Sequence, residues 1–446
     1  MKNNKINIFF NFLNNNTFLI FFFYILVLVF VNLLFCKLYL IKQPNLIDSN
    51  GTFLISNISN GFGEVIKSIN NGEKAHLLWV GEIKLYAARR LFIPYYLIAM
   101  NELNITSFIT IHLIKNLFFG LIIFILIKNF NKAYNNIFLI LCLFFIYYLP
   151  FNNLTTLGTE KEEGWLNYFT IMLFFLLVSN FRYKSIYIGF VLSMIFFLKG
   201  SMFFLTLIIP IIYFFLEKKA KYKYFPIFLV IISNLIWGTY TLKNAGFFAF
   251  GAKGSSMNAS NLYMISTKDF NKTYPNIVPD IYLYRVKDII KKEKINDEKE
   301  FIDKLMKPSI NFIKENPYNF LYGIAKRIYV LTLNPFKDAQ KPSNYKSNKD
   351  SKYKSNNPVR ISNIFNKVVF NLSIVILFYL MFLKKEKNYF IKKLNYYYLS
   401  ILILYLSPYI AAWLYDRHAV SIYILAHFYV LMIIANSNRK LFYSKA

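Results

Sequence analysis

Apolar segments long enough to cross a lipid bilayer recur along the chain from Thr17 to the C-terminus. Each has about 17 to 25 residues, and a helix of that length spans a hydrocarbon core of about 30 Å. Of the 446 residues 56% are hydrophobic and only 17% charged, whereas soluble domains carry about 25% charged residues. The sequence therefore excludes a soluble multidomain protein and predicts an all-α polytopic membrane protein.

Hydropathy predicts about ten transmembrane helices. They lie near 17–40, 104–127, 135–150, 165–180, 185–199, 201–216, 224–240, 363–383, 394–413 and 419–436. The first apolar run is too long for a signal-peptide core and lacks a small-residue cleavage site. We therefore interpret it as a retained helix.

The spacing of these helices divides the chain into three regions. An N-terminal membrane region at 1–240 contains a first outer loop at 41–103, a large outer loop follows at 241–362, and 363–446 is a C-terminal membrane region. No internal repeat is visible.

Loop charges predict the orientation in the membrane. The short connections at 128–132, 182–184, 217–223 and 384–393 are rich in Lys or Arg, as cytoplasmic connections are. Long translocated loops are exempt from this rule, so the basic large loop does not conflict with it. We predict a multi-pass protein of the cell (inner) membrane, with both termini cytoplasmic and the two long loops outside.

The outer loops are predicted to be mostly helical. The segment 61–71 places Phe62, Val65 and Ile66 on one face of an amphipathic helix. Apolar residues recur from 298 to 327 with a break at Asn316-Pro317, and 337–360 has the composition of a flexible linker.

Net charge and cysteine content exclude several classes of function. The formal net charge is +30, but the Lys and Arg residues are scattered through loops, so we predict no nucleic-acid partner. Both cysteines, Cys36 and Cys142, lie in apolar segments, which disfavours a disulfide framework or a metal cluster. No nucleotide-binding glycine loop is present either, and we predict no cofactor and no metal.

Acidic and basic residues gather on the predicted outer face. They are Asp48, Glu64, Arg89, Arg90, Glu160, Glu163, Lys199, Lys243, Asp416, Arg417 and His418. Carboxylates act as general bases toward hydroxyl groups, whereas Lys and Arg neutralise phosphate. This pattern suits transfer from a phosphate-linked lipid at a site that opens outward.

These residues also have structural interpretations. Lys and Arg at helix ends extend toward headgroups, and Glu160 and Glu163 suit a solvated turn or a helix N-terminus. Within the helices, His112, Lys115 and His427 are predicted to form interhelical hydrogen bonds, because no second metal ligand lies at a usual spacing.

Short motifs along the chain resemble those of a known superfamily. The stretch from Ala88 to Leu97 resembles an Arg-x-Pro-Gly-Tyr-Pro motif, and Leu198-Lys199-Gly200 stands in the place of a Thr-Arg-Pro junction. Thr159-Glu160 resembles a Ser/Thr-Glu pair before a helix, and Glu163 fits that spacing equally well.

The later motifs keep the same order. Lys243-Asn244, Gly246-Phe247 and Asn261-Leu262-Tyr263 resemble the motifs that open a large loop. The stretch 311–321 resembles Phe-Ile-x-x-Asn-Pro-x-x-Tyr-Leu, and Arg417-His418 stands where Arg-Tyr precedes a last helix. By these motifs the chain resembles the GT-C glycosyltransferases. The similar branch is the family 39-like one, which includes dolichyl-phosphate-mannose-protein mannosyltransferases and lipid A aminoarabinose transferases.

The resemblance implies a GT-C-like fold and a sugar donor carried on polyprenyl phosphate. It implies donor phosphate binding by Lys199, Lys243, Arg417 and His418, and acceptor binding or loop orientation by Arg89, Arg90, Glu160 and Glu163. The acceptor would be a glycan such as lipopolysaccharide, a lipid or a protein.

The chain departs from the family at the catalytic base. The family has an acidic residue shortly before the aromatic residue that corresponds to Phe62, but here the preceding residues are Asn57, Ile58, Ser59 and Asn60. Asp48 is our first candidate for the base and Glu64 the second. An oligosaccharide-repeat polymerase or ligase and a divergent, inactive GT-C relative remain alternatives.

Overall fold

The computed structural model describes residues 17–42, 44–50, 52–57, 62–79, 83–130, 162–179, 182–250, 256–273, 282–333, 357–384, 388–411 and 416–443. These residues are mostly helical, which confirms the helical fold class at a coarse level. The predicted helix at 135–150 lies outside them.

The helices follow one another with few strands between them. In chain order they are α1 (Thr17–Lys42), α2 (Phe62–Asn70), α3 (Phe92–Glu102), α4 (Phe108–Phe130), α5 (Glu162–Val178), α6 (Lys184–Leu198), α7 (Phe203–Leu216), α8 (Phe225–Ala245), α9 (Ser256–Ile265), α10 (Lys268–Thr273), α11 (Leu283–Glu293), α12 (Glu298–Glu315), α13 (Pro317–Thr332), α14 (Asn357–Phe378), α15 (Tyr389–Ala411) and α16 (Asp416–Tyr443). A π-helical turn, Tyr379–Leu383, extends α14.

Within the described residues, three helices contain stretches that are long and apolar enough to cross a membrane, namely Phe108–Leu126, Phe225–Ala245 and Ile364–Leu383. Shorter apolar stretches occur at Phe21–Leu34, Lys184–Leu198, Gly200–Leu216 and His418–Ile434. The structure thus supports a helical protein with candidate membrane spans, and the total of about ten transmembrane helices stays a prediction.

Helix α5 is the centre of the helical core. Every residue from Glu162 to Val178 is buried, and the helix contacts α4, α6, α15 and α16. A helix that is apolar on all sides has to be surrounded by other helices or by lipid. The N-terminal end of α5 therefore lies among the ends of other helices in the core.

A second hydrophobic cluster joins the two predicted outer loops. It contains Val65 of α2, Leu77 and Leu85 of a small sheet, Ile265 of α9 and Phe301 of α12. The sheet consists of β1 (Leu77–Trp79) and β2 (Ile83–Leu85), which pair antiparallel. Strands of three residues are too short to give a periodic pattern, so the sequence analysis missed this hairpin.

The helices of the loops match the predicted periodicity. The amphipathic segment 61–71 forms α2, with Phe62 and Ile66 buried and Lys67 exposed. The break at Asn316-Pro317 separates α12 from α13, since proline lacks the N–H of a helix interior but suits a first helical position. Helix α14 begins at Asn357, so the predicted linker at 337–360 is wrong at its C-terminal end.

A buried ion triad fastens one end of the helical core. The Glu217 carboxylate, just after α7, lies 2.9 Å from Lys184 Nζ of α6 and 2.6 Å from Lys393 Nζ of α15. Burial raises the pKa of Glu217, but hydrogen bonds from Lys393 and Lys184 outweigh burial and hold the pKa below its usual value. The carboxylate therefore stays charged at neutral pH.

We predict that Glu217→Gln lowers the free energy of unfolding by about 3 kcal/mol, because it leaves two buried ammonium groups without a counter-charge. Detergent unfolding titrations followed by circular dichroism measure this change. The matched control is Glu293→Gln, because Glu293 pairs with Lys304 at the surface and its loss is expected to change little. Equal effects of the two substitutions would contradict the role of the triad.

Candidate functional site

Lys199 lies between two carboxylates where helix ends meet. Its Nζ atom is 2.9 Å from Glu162 Oε2 and 2.8 Å from Glu163 Oε1. Both glutamates are in the first turn of α5, where the helix dipole favours negative charge. Lys199 follows α6 in an extended conformation, and a 3-10 turn, Gly200–Met202, leads into α7. This break in the helix directs the lysine to the end of α5.

Two further residues complete what we call the charged cluster, defined as Arg89, Glu162, Glu163, Lys199 and His418. Arg89 Nη1 lies 3.3 Å from Glu162 Oε1, and His418 Nε2 lies 3.5 Å from Glu163 Oε1. The His418 ring stacks on Tyr409 of α15 with 4.4 Å between ring centroids. Four separate parts of the sequence thus supply the cluster.

The charged cluster is largely withdrawn from solvent. The Lys199 side chain is 14% exposed, and both glutamates and His418 are less exposed than that. Buried charges are tolerated only when they are paired, and here two carboxylates face one lysine and one arginine. The imidazole of His418 lies beside Glu163 at the same point.

Arg90, next to Arg89 in the chain, has a different environment. Its guanidinium lies 4.3 Å from the ring centroid of Phe196 and 4.0 Å from that of Trp237. The residue is 4% exposed, and its Nη1 and Nη2 atoms have no hydrogen-bond partner. Burial lowers the pKa of Arg90 to about 9, so the group remains charged at neutral pH. Two aromatic faces therefore hold this cation.

Three predicted site residues lie apart from the charged cluster. Asp48 Oδ1 accepts hydrogen bonds from the backbone N–H groups of Asn50 (2.9 Å) and Thr52 (2.8 Å), and so closes a turn. Glu64 is exposed in the first turn of α2, and Lys243 is exposed in the last turn of α8. In the part of the chain that the structure describes, none of the three forms an ion pair with the cluster.

Helix α2 still contacts the charged cluster. The ring of Phe62 lies 5.3 Å from the Arg89 guanidinium. Glu64 therefore belongs to a helix that touches the cluster, although its own carboxylate faces solvent. Of the two predicted bases, Glu64 is the one on an element in contact with the cluster.

Two predicted site residues have side chains that the structure does not describe. Glu160 precedes the first described residue of α5, and the side chain of Arg417 is not described, although the residue lies in the first turn of α16. Of the predicted set, the structure brings Arg89, Glu163, Lys199 and His418 together.

Sequence reasoning missed two residues at this site. Glu162, the neighbour of Glu163, is not among the predicted site residues, and neither is Tyr409. Two adjacent residues in the first turn of a helix can both contact a side chain that lies beyond the helix end. The position of Glu162 next to Glu163 could therefore have indicated that it belongs to the site. Tyr405 and Tyr409 are four residues apart and share a helix face, which is a weaker signal for Tyr409.

His112 and His427 both have contacts within their own helices. Neither ring nitrogen of His112 has a hydrogen-bond partner, and its ring stacks on Phe108, so the predicted interhelical hydrogen bond is wrong there. His427 Nδ1 lies 2.7 Å from the carbonyl of Tyr423 in its own helix. Among the described residues no three His, Cys, Asp or Glu side chains converge as metal ligands.

The chain was compared with protein-family models, curated proteins and solved structures, and none of them matches it.

We predict that Lys199→Met destabilises the fold by about 3 kcal/mol, because it leaves Glu162 and Glu163 buried side by side without their lysine. Adding Glu163→Gln is expected to recover part of this loss, since one of the two charges is then removed. Unfolding of the single and double variants in detergent gives the coupling energy. Strictly additive effects would show that the lysine and the carboxylate do not interact, and Lys304→Met is the matched control at an exposed lysine.

Proposed function

We propose that this protein is an integral membrane glycosyltransferase that takes a sugar from a polyprenyl-phosphate carrier at the outer face of the cell membrane. The acceptor is a hydroxyl group of a glycan, a lipid or a protein. The proposal includes a multi-pass topology with both termini in the cytoplasm. The charged cluster at the ends of apolar helices supports it most directly.

The cluster has the chemical groups that such a transfer needs. A lipid-linked phosphate enters from the bilayer, so a cationic site for it has to lie at the end of apolar helices, where Lys199 lies. A lysine ammonium has three donors, and Glu162 and Glu163 engage two of them. In this proposal Lys199 also donates to a phosphate oxygen, with Arg417 and His418 at the start of the neighbouring helix.

The reaction needs no cofactor because the donor carries its own leaving group. A carboxylate takes the proton of the acceptor hydroxyl, and the acceptor oxygen forms a bond to the anomeric carbon. The bond between that carbon and the phosphate oxygen breaks, and the electron pair leaves on the polyprenyl phosphate. Lys199 and Arg417 stabilise the charge that grows there. Attack opposite to the leaving phosphate inverts the configuration.

The base remains either Asp48 or Glu64. Glu64 requires the smaller displacement, since Phe62 of the same helix already contacts Arg89. Asp48 would have to leave the turn that its carboxylate closes with Asn50 and Thr52. Lys243 lies in the last turn of α8, and Arg89 and Arg90 contact residues of α5, α6 and α8. In this proposal the acceptor approaches there.

A non-catalytic GT-C relative is the second candidate, and one observation favours it. The charges of the described cluster are mutually paired, and neither Asp48 nor Glu64 forms an ion pair with them. In that case the cluster serves only to join the helix ends. A transfer assay separates the two candidates.

We predict that membranes containing the parent protein transfer sugar from polyprenyl-phosphate monosaccharides to endogenous acceptors. Lys199→Arg keeps the charge and the fold, but a guanidinium fits the two glutamates differently, so we expect about a tenfold lower rate. Arg417→Ala and the substitution of the true base, Asp48→Ala or Glu64→Ala, are expected to lower the rate by about 100-fold or more.

The control for this assay is Lys304→Met, at an exposed lysine that pairs with Glu293, which should transfer at the parent rate. Transfer that survives Lys199→Arg, Arg417→Ala and both carboxylate substitutions would keep the activity but remove it from this site. A folded parent without transfer from any monosaccharide donor would favour the non-catalytic relative or an oligosaccharide-repeat polymerase.

A further inference from the structure

A buried carboxylate of the large loop contacts the backbone just before Arg89 and Arg90. Glu298, the first residue of α12, is 2% exposed. Its Oε2 accepts a hydrogen bond from Tyr86 N at 2.7 Å, and its Oε1 accepts one from Ala87 N at 3.0 Å. The partners are more than 200 positions apart in sequence, so this contact joins two distant parts of the chain.

The contacted backbone leads directly into the candidate site. Two residues after Ala87, Arg89 pairs with Glu162 in the charged cluster. The next residue, Arg90, is held by Phe196 and Trp237, and Ala87 is buried in the same hydrophobic cluster as these two rings. The position of this short segment therefore decides whether two arginines reach the ends of the membrane helices.

Glu298 is well suited to fix that segment. Unpaired backbone N–H groups are costly to bury, and a carboxylate accepts two of them at once. The sequence separation means that no local turn could supply the same acceptor. The pairing also requires α12 to be docked, so the large loop and the arginine segment are ordered together.

We propose that Glu298 is a positioning residue, which fixes the Arg89–Arg90 segment in the site through the backbone amides of Tyr86 and Ala87. The positioning is a property of the fold and can be measured without any substrate. Its consequence for catalysis rests on the proposed transferase function.

Because Glu298 can be protonated, the strength of its contact with the two amides depends on pH. A residue that only fills space would show no such dependence. Burial raises the pKa of Glu298 from its usual 4.5 to about 7, and the two hydrogen bonds from the backbone amides oppose this shift. When the contact opens, water restores the lower pKa. Because the open state then holds fewer protons, the contact is strongest at low pH and weakens as the pH rises from about 4.5 through 7.

Other titratable groups lie near this contact, and their effect on its pH dependence has to be distinguished from that of Glu298. Tyr240 of α8 interacts electrostatically with both Glu298 and Tyr86. The His76 ring lies 5.9 Å from the Tyr86 ring, and histidine is the side-chain type whose charge most often changes near neutral pH. His76→Gln is therefore a required control.

The test is hydrogen exchange of the peptide covering 83–90, read by mass spectrometry on the full-length protein in lipid nanodiscs at pH 6 and pH 8. After correction for the intrinsic pH effect, we expect exchange in the parent to be about tenfold faster at pH 8. Glu298→Gln resembles the protonated acid, so its exchange should be slow and equal at both pH values. Glu298→Ala should exchange about tenfold faster than the parent at pH 6.

Two further variants make the result specific. Glu300→Gln changes the same charge in the same helical turn, and both it and His76→Gln should keep the pH response of the parent. Unchanged exchange at 83–90 in Glu298→Ala, or faster exchange across the whole protein, would overturn the positioning role. Loss of the pH response in His76→Gln rather than in Glu298→Gln would overturn it as well.

The same variants separate this inference from the proposed function. If the parent transfers sugar, Glu298→Ala should lower the rate and Glu298→Gln should flatten its dependence on pH between 6 and 8. A parent without transfer, but with the expected exchange pattern, would contradict the transferase proposal and leave the positioning role supported.

Discussion

The ion pairs of Lys199 with Glu162 and Glu163 hold the candidate site together. A lysine between two apolar helices would be costly to bury alone, and two adjacent carboxylates would repel each other without it. Their pairing joins the start of α5 to the junction of α6 and α7. Arg89 and His418 attach to the same two carboxylates, so the loop before α3 and the start of α16 converge on this point as well.

The two ends of the helical core differ in their charge. At one end a single carboxylate, Glu217, faces two lysines from α6 and α15. At the other end two carboxylates face Lys199 and Arg89, and the polar groups there include an imidazole and a tyrosine ring. Both ends join helices, but the second combines a lysine and an arginine, which suit a phosphate, with two carboxylates and an imidazole. The proposed chemistry is placed there for that reason.

Much of the fold followed from the sequence because hydrophobic periodicity is a local property. The sequence predicted helix α2 and the break at Pro317. It also predicted, from loop charge, that Glu163, Lys199 and His418 lie on one side of the membrane, and these residues lie together in the structure. The hairpin at 77–85 was not predicted, because its strands are too short to show alternation. Helix α14 starts within the predicted linker because polar composition alone does not prevent a helix that packs against others.

The site was predicted in part, and two of the residues that the sequence analysis missed share one property. Tyr409 and Glu298 gain their roles from partners distant in sequence, which no spacing rule reveals. Asp48 was selected for its charge, but its carboxylate closes a local turn instead of facing the cluster. Charge on a predicted face thus identified four residues that gather, namely Arg89, Glu163, Lys199 and His418, but it did not indicate which carboxylate would act as the base.

We propose that a lipid-linked phosphate binds at Lys199. Photo-labelling of the protein in nanodiscs with a polyprenyl-phosphate sugar that carries a photoreactive group near the phosphate tests it most directly. We expect labelled peptides around Glu163, Lys199 and His418. Excess unlabelled donor should suppress the labelling, and Lys199→Arg should reduce it. Labelling spread along the lipid-facing helices, and unchanged by either treatment, would contradict it.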